Sequence, residues 1–273
     1  MMRKLGVSAV FGITPAVPFE AQMPLIKRAG FDVCFAPYKK DEPLRLWADL
    51  SEKLDLPIET LHAPFDHMNT LWIDAPEGED YLNFQLTRID GCSEIGVEKC
   101  VMHVTIANTA PPVSDVGLRR FRKMCDYAQE KGVRLCFENL EIPAHLAAVL
   151  ADNPEYHGFC WDCGHNYCYT PLVDMMALYG RRLLCLHVHD NFGVRVPGRI
   201  HYVDDLHLLP MDGGLDWNAF ADRIRSAGFD GPLTLEISKR GLPGRVEYNE
   251  KSLRAYLEEA FRRATALRAL VDG

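Results

Sequence analysis

The chain lacks several features that would place it in a specialised class of protein. No segment of its 273 residues approaches the roughly 18 consecutive apolar residues of a membrane span. The start runs from Arg3 and Lys4 directly into a strand-like segment, without the apolar core of a signal peptide. Positive charge is not in excess either, because the formal net charge is -8, which argues against a large nucleic-acid surface. We therefore expect a cytoplasmic protein with no membrane partner.

The cysteines do not suggest a disulfide framework. There are nine of them, an odd number, and most stand inside apolar runs, as Cys34, Cys100 and Cys136 do. Such positions are typical of reduced, buried thiols. Cys160 and Cys163 have CxxC spacing, but they fall in a predicted strand, where alternation would turn the two thiols to opposite sides. A redox motif is therefore not expected there.

Strand-like and helix-like segments alternate along the whole chain. The predicted strands are Leu5–Val10, Asp32–Ala36, Ile58–Ala63, Lys99–Val104, Arg134–Leu140, Gly158–Asp162, Leu183–His189 and Pro232–Ser238. The predicted helices are Phe19–Ala29, Glu42–Leu54, Glu79–Ile95, Ser114–Lys131, Ile142–Ala151, Leu172–Tyr179, Asp216–Ala227 and Glu250–Leu270. Glycine follows several of these helices at the position of a left-handed C-cap, as Gly30, Gly96, Gly132 and Gly228 do.

Eight strand–helix pairs without a linker rich in Pro, Gly or Ser predict an α/β protein with one (β/α)8 barrel domain over residues 1–273. A doubly wound sheet is the alternative. It would carry a Gly-rich phosphate loop after its first strand, and Phe11–Pro15 is not such a loop. The last helix is amphipathic and should cover the barrel wall, although it could also serve as the contact face of a homo-oligomer.

Ionisable side chains recur at the ends of the apolar strands. They are His62, His103, Glu138, Asp162, His187, His189 and Glu236. Buried charge is costly unless it is paired or bound to a metal, and the C-terminal strand ends of a barrel meet at one face. Alternation along the strands allows Glu138, Asp162, His187 and Glu236 to point into the barrel together. Three carboxylates and one imidazole favour Mn²⁺, Mg²⁺ or Co²⁺, and each added imidazole shifts the preference towards Zn²⁺.

In these segments the chain resembles the xylose isomerase-like barrel superfamily, which includes ketose 3-epimerases, hydroxypyruvate isomerase, inosose dehydratase, dehydroshikimate dehydratase and endonuclease IV. The resemblance covers essentially the whole chain. The segments that carry it are Phe137-Glu138-Asn139, Trp161-Asp162-Cys163-Gly164-His165, His187-Val188-His189-Asp190-Asn191, the stretch Asp205–Trp217, and Leu235-Glu236-Ile237. It implies that Glu138, Asp162, His187 and Glu236 bind a divalent metal ion and that His165 contacts substrate.

The resemblance also implies a reaction, the isomerisation or epimerisation of a small sugar or polyhydroxylated carbonyl compound. Glu138 or Glu236 would remove a proton beside the carbonyl, the metal would stabilise the enediolate, and the opposite carboxylate would return the proton. A dehydratase of the same superfamily is an alternative. The arginine that the epimerases carry after the seventh strand has no counterpart here, because Gly193 stands three residues after Asp190.

The competing resemblance is to endonuclease IV, whose three-zinc site uses further histidines and an Asp-x-His pair. This chain offers His62, His103 and His165, together with Asp205 and His207 as additional ligands. The loops that would hold DNA are not notably basic, which favours a small sugar as the substrate. On that interpretation His62, His103 and His189 contact substrate beside His165.

Overall fold

Eight parallel strands form the centre of the protein in the computed structural model, which describes residues 2–153 and 155–273. The strands are β1 Leu5–Ser8, β2 Val33–Pro37, β3 Ile58–His62, β4 Lys99–Met102, β5 Arg134–Glu138, β6 Gly158–Asp162, β7 Leu183–His187 and β8 Leu233–Leu235. Neighbours in the chain pair along the sheet, and β1 also pairs with β8. The amides of Val188 and Glu236 donate to Thr234 and Val188 carbonyls at 2.9 and 3.0 Å, which brings β7 and β8 together. The predicted (β/α)8 barrel is confirmed.

Nine α-helices connect and surround the strands within the described residues. They are α1 Phe19–Ala29, α2 Leu44–Leu54, α3 Pro76–Glu94, α4 Asp115–Glu130, α5 Pro143–Asp152, α6 Cys163–Tyr169, α7 Met175–Tyr179, α8 Trp217–Ala227 and α9 Leu253–Asp272. The four predicted C-cap glycines all have positive φ, between 63° and 111°. Within the part of the chain that the structure covers, no helix is both long and apolar enough to cross a bilayer.

The helices predicted from the sequence differ most from those of the structure in the segment after the sixth strand. A single helix was expected over Leu172–Tyr179, but the structure has α7 over Met175–Tyr179 and a further helix, α6, that starts directly after β6. The side chain of Asp162 caps α6 by accepting a hydrogen bond from the amide of His165 at 2.6 Å. A carboxylate at this position satisfies an amide that the helix itself cannot pair, so α6 begins at the site residue.

Alternation along the strands separates two packing regions. Leu135 and Phe137 belong to the large core between the strands and the helices, whereas Cys136 lies in a small cluster inside the barrel with Cys160 and Cys185. Each of these three cysteines precedes a site residue by two positions, so its side chain lies directly below that residue on the same strand face. All nine cysteines are buried free thiols.

An ion pair lies inside the barrel below this cluster. The Lys99 Nζ is 2.8 Å from Glu59 Oε1, and the Thr234 hydroxyl donates to Glu59 Oε2 at 2.5 Å. Only 5% of the Glu59 side chain is exposed, so loss of the lysine would leave a buried carboxylate without its countercharge. We expect Lys99→Met to lower the free energy of unfolding by about 3 kcal/mol, measured by urea denaturation.

The matched control is Lys27→Met, since Lys27 pairs with the exposed Asp55 at 3.3 Å on the surface. Its expected cost is below about 1 kcal/mol, because exposed pairs contribute little. Equal losses in the two variants would contradict a stabilising role for the internal pair.

Candidate metal centre

The four residues expected to bind a metal come together at the C-terminal mouth of the barrel. Glu138, Asp162 and His187 are the last residues of β5, β6 and β7, and Glu236 directly follows β8. One oxygen or nitrogen of each lies within 4.8 Å of the corresponding atoms of the other three. The His187 Nδ1 is 3.0 Å from Glu138 Oε1 and 3.3 Å from Glu236 Oε2, so two carboxylates from different strands flank one imidazole.

A second donor group lies on the β3 and β4 side of Glu138. The Nε2 atoms of His62 and His103 are each 3.2 Å from Glu138 Oε2. His62 Nδ1 lies 2.8 Å from the Ala63 carbonyl. A proton on Nδ1 would be donated to that carbonyl and would leave the lone pair of Nε2 facing the site. The two histidines and Glu138 could thus bind an ion of their own.

A third donor group lies on the β6 and β7 side and consists of His165, His189, Asp205 and His207. The Nε2 atoms of His165 and His207 are 3.1 and 3.0 Å from Asp205 Oδ2. His189 is completely buried, its ring stacks on that of His207 at 3.8 Å between centroids, and its Nε2 is 3.0 Å from an Asp162 oxygen.

The segment that carries Asp205 and His207 is held in place by two residues after β7. The Asn191 side chain accepts a hydrogen bond from the Leu206 amide at 2.6 Å. The buried Asp190 carboxylate accepts hydrogen bonds from the Met211 and Leu215 amides at 3.0 and 3.1 Å. These two side chains, for which the sequence alone indicates no role, position the third group rather than belong to it.

A cavity of about 440 Å³ opens above the three groups. Of the residues expected to contact substrate, His62, His103 and His165 line it, whereas His189 is not among the described residues on its wall. The wall also includes two residues that the sequence analysis did not single out, Glu141 and Tyr169. Glu141 stands three residues after Glu138, and that spacing from a strand-end carboxylate is the signal that could have identified it.

Arg195 is not free to take the place of the epimerase arginine. Arg195 forms an ion pair with Asp204 and donates a hydrogen bond to the Val203 carbonyl. Its guanidinium group therefore connects two parts of the loop after β7. Gly193, at the position in question, has a φ of 69°, a conformation that favours glycine.

Three carboxylates, Glu138, Asp205 and Glu236, have pKa values below the ordinary range. Burial raises the pKa of Glu138. The charge of His187 and hydrogen bonds from neighbouring histidines lower it by a larger amount, so the net pKa is well below the usual range. For Asp205 the same opposition of burial against His207 and His165 also leaves the pKa well below normal. The pKa of Glu236 is lowered for the same reason, chiefly by His187.

The pKa values of His165, His187 and His207 are shifted in the opposite direction, upward. Burial lowers the pKa of His187, but Glu236 and Glu138 raise it well above its ordinary value. Asp205 likewise outweighs burial and raises the pKa of His207 to about 9. In His103, burial outweighs the hydrogen bond with Glu138 and lowers the pKa.

The residues present fit a bound divalent ion. Several buried site atoms have no hydrogen-bond partner among the described residues: His103 Nδ1, His187 Nε2, His189 Nδ1, Asp205 Oδ1 and Glu236 Oε2. Unsatisfied buried polar atoms are costly, and four buried or half-buried carboxylates beside one another call for a positive charge. Mixed carboxylate and imidazole donors suit Mn²⁺, Co²⁺ and Zn²⁺, and the oxygen-rich central group also suits Mg²⁺.

The fold and the centre are those of a (β/α)8 barrel whose ionisable side chains converge where such barrels place their active sites. The model of the xylose isomerase-like TIM barrel family matches residues 23–263, and the chain belongs to that family. The resemblance inferred from the sequence is thereby confirmed.

The individual proteins that this chain resembles have low sequence identity to it. The uncharacterized protein y4fM of Sinorhizobium fredii is 31% identical over 164 residues, which are 55% of this chain and 50% of that protein. The chain thus matches half the length of this relative. A xylose isomerase domain protein from Planctomyces limnophilus superimposes with a TM-score of 0.76 at 16% identity, over 100% of this chain and 99% of that one. D-Psicose 3-epimerase from Clostridium cellulolyticum H10, solved with D-tagatose, has a TM-score of 0.70 at 14% identity, with 98% of each chain covered.

Proposed function

We propose that the protein is a divalent-metal-dependent isomerase or epimerase of a small sugar or polyhydroxylated carbonyl compound. The observation that carries this proposal is the pair Glu138 and Glu236, which approach the same His187 nitrogen from β5 and from the end of β8, at 3.0 and 3.3 Å. Both carboxylates line the cavity. Moving a proton from one face of a substrate carbon to another requires two such groups around one site.

The roles follow from the surroundings of each carboxylate. A divalent ion held by Glu138, Asp162, His187 and Glu236 would act as a Lewis acid that polarises the substrate carbonyl. Glu236 lines the cavity and lies beside His187 in the centre, and this carboxylate removes the proton from the carbon beside the carbonyl. Glu138 returns a proton on the opposite side, and the Nε2 atoms of His62 and His103, each 3.2 Å from its Oε2, hold its carboxylate in position.

The comparisons support a sugar as the substrate. One structural neighbour is an epimerase solved with the ketose D-tagatose, and others carry the names L-ribulose 3-epimerase and D-tagatose 3-epimerase-like protein. The cavity of about 440 Å³ falls within the range of small-molecule sites, which is about 300–1,000 Å³.

The test is turnover of a panel of free and phosphorylated ketoses by the protein loaded with Mn²⁺, Mg²⁺, Co²⁺ or Zn²⁺. We expect epimerised or isomerised product, with hydrogen exchanged from D₂O at the reacting carbon, and loss of activity on chelation that the metal restores. Activity that survives complete removal of metal would contradict the proposal. Release of water from the substrate instead would assign the protein to the dehydratases of the superfamily.

A second candidate function is favoured by the two outer donor groups. Three adjacent groups that share Glu138 or contact Asp162 could bind more than one ion, an arrangement suited to hydrolysis of a phosphodiester. Metal analysis and an assay with DNA containing an abasic site separate the two candidates. About three Zn²⁺ per chain with DNA cleavage and no sugar turnover would establish the second, whereas about one ion with ketose turnover would establish the first.

A further inference from the structure

Glu141 presents a carboxyl group to the cavity without serving any of the three donor groups. It lies in the loop between β5 and α5, three residues beyond Glu138, and it lines the cavity wall. Its Oε2 atom is buried and has no hydrogen-bond partner among the residues that the structure describes. Glu141 is also absent from every set of side chains, within those residues, that converge closely enough to bind an ion.

One oxygen of the Glu141 carboxyl group has no hydrogen-bond partner in the described part of the chain. A buried acceptor left unsatisfied costs about 1–3 kcal/mol, and more when it is charged. The groups that face Glu141 are His165, Asp205 and Tyr169. Burial raises the pKa of Glu141, its own amide and His165 lower it, Asp205 raises it, and the net shift is upward. None of these neighbours is hydrogen-bonded to Oε2, so the carboxyl group that lines the cavity has one oxygen without a partner among the described residues.

We propose that Glu141 is a specificity-determining residue that accepts a hydrogen bond from a hydroxyl group of a polyol-like substrate, on the side of the cavity formed by His165 and Tyr169. The inference rests on the proposed function for the class of substrate, a polyhydroxylated compound. It adds a contact that is separate from the metal ligands. A site built to pair with a hydroxyl discriminates strongly against a compound that lacks it, since the buried acceptor then stays unpaired.

The test measures binding of unreactive polyols, so that it does not depend on turnover. Xylitol and sorbitol are titrated by NMR into the metal-loaded protein and into two variants, Glu141→Ala and Glu141→Gln. We expect the dissociation constant to rise about 10- to 100-fold in Glu141→Ala, the range for hydrogen bonds to charged groups. The loss should be smaller in Glu141→Gln, whose amide oxygen still accepts a hydrogen bond. For a ketose that is turned over, KM should rise while kcat changes little.

Glu42→Gln is the matched control. Glu42 also has a raised pKa, mainly from burial, but it lies in a groove beside α2 that is separate from the cavity. Its variant should bind polyols as the wild type does. Metal content and melting temperature, measured for every variant, identify any loss of binding that comes from misfolding.

Each outcome decides between the two proposals. Weaker polyol binding in Glu141→Ala without any ketose turnover by the wild type would support the contact and refute the isomerase. Equal binding by the wild type and Glu141→Ala, or no polyol binding by the wild type, would overturn the contact. Ketose turnover in either of those cases would leave the isomerase standing.

Discussion

Replacing Glu236 by glutamine is expected to lower kcat by about 10²- to 10⁴-fold, the range that general acid–base catalysis contributes. Glutamine keeps the size and an oxygen donor of the side chain but cannot take up a proton at neutral pH. Glu236 lines the cavity, and glutamine at this position also weakens the charge interaction of Oε2 with His187 Nδ1, 3.3 Å away. The measurement is kcat on the best ketose of the panel, with metal content determined on the same sample.

Two comparisons separate a lost base from a lost metal. Glu247→Gln changes an exposed carboxylate whose visible contact is the Gly244 amide at 2.7 Å, and it should retain full activity. If Glu236→Gln binds a full complement of metal and keeps kcat within about threefold of the wild type, Glu236 is not the base. If it loses both metal and activity, the carboxylate acts chiefly as a ligand.

Strand periodicity was sufficient to predict the centre of the site. Alternation places Cys136 and Glu138 on one face of β5 and Leu135 and Phe137 on the other, and the structure has that division. Every strand of a parallel barrel ends at the same mouth. The residue types at the strand ends were therefore enough to predict that Glu138 and His187 lie close together. The assignment of these residues as ligands stays a prediction that metal analysis will test.

The outer parts of the site depend on contacts that cannot be predicted from the alternation of side chains along a strand. His207 has a φ of 49°, an unusual value for a residue other than glycine, and its ring stacks on His189. That conformation depends on the segment from Asp205 onward, which Asn191 and Asp190 hold through backbone amides distant in sequence. The residue types in this loop can be identified from the sequence, but which of them reach the cavity depends on these long-range hydrogen bonds.

The free energy of unfolding of the metal-free protein should depend strongly on pH because of the charged groups at the centre. The pKa values of His165, His187 and His207 are raised in the folded protein, that of His207 to about 9. In each case burial opposes the shift and neighbouring carboxylates cause it. A raised pKa contributes stability that is fully present below the unfolded value of about 6.5 and is lost as pH rises through the folded value.

The carboxylates act in the opposite range. The pKa values of Glu138, Asp205 and Glu236 are lowered, so their contribution is present above the unfolded value of about 4 and is lost on acidification. The combined contribution of these histidines and carboxylates to the stability of the metal-free protein should therefore be largest near pH 5–6.5. From there to pH 9 it should lose up to about 1.4 kcal/mol per pH unit for each histidine that titrates.

A bound cation replaces the protons that these histidines hold. Metal affinity should therefore rise over the same range, by up to about tenfold per pH unit for each displaced proton, and the loaded protein should lose less stability. Urea denaturation of stripped and loaded protein at pH 6, 7.5 and 9, with metal affinity from chelator competition, measures both effects. His207→Gln should flatten the curve of the stripped protein up to about pH 9, the pKa of the histidine it removes. Stability of the stripped protein that is constant or rises between pH 6.5 and 9 would mean that the histidines are neutral there, and that the carboxylates of the centre depend on a metal ion alone for their countercharge.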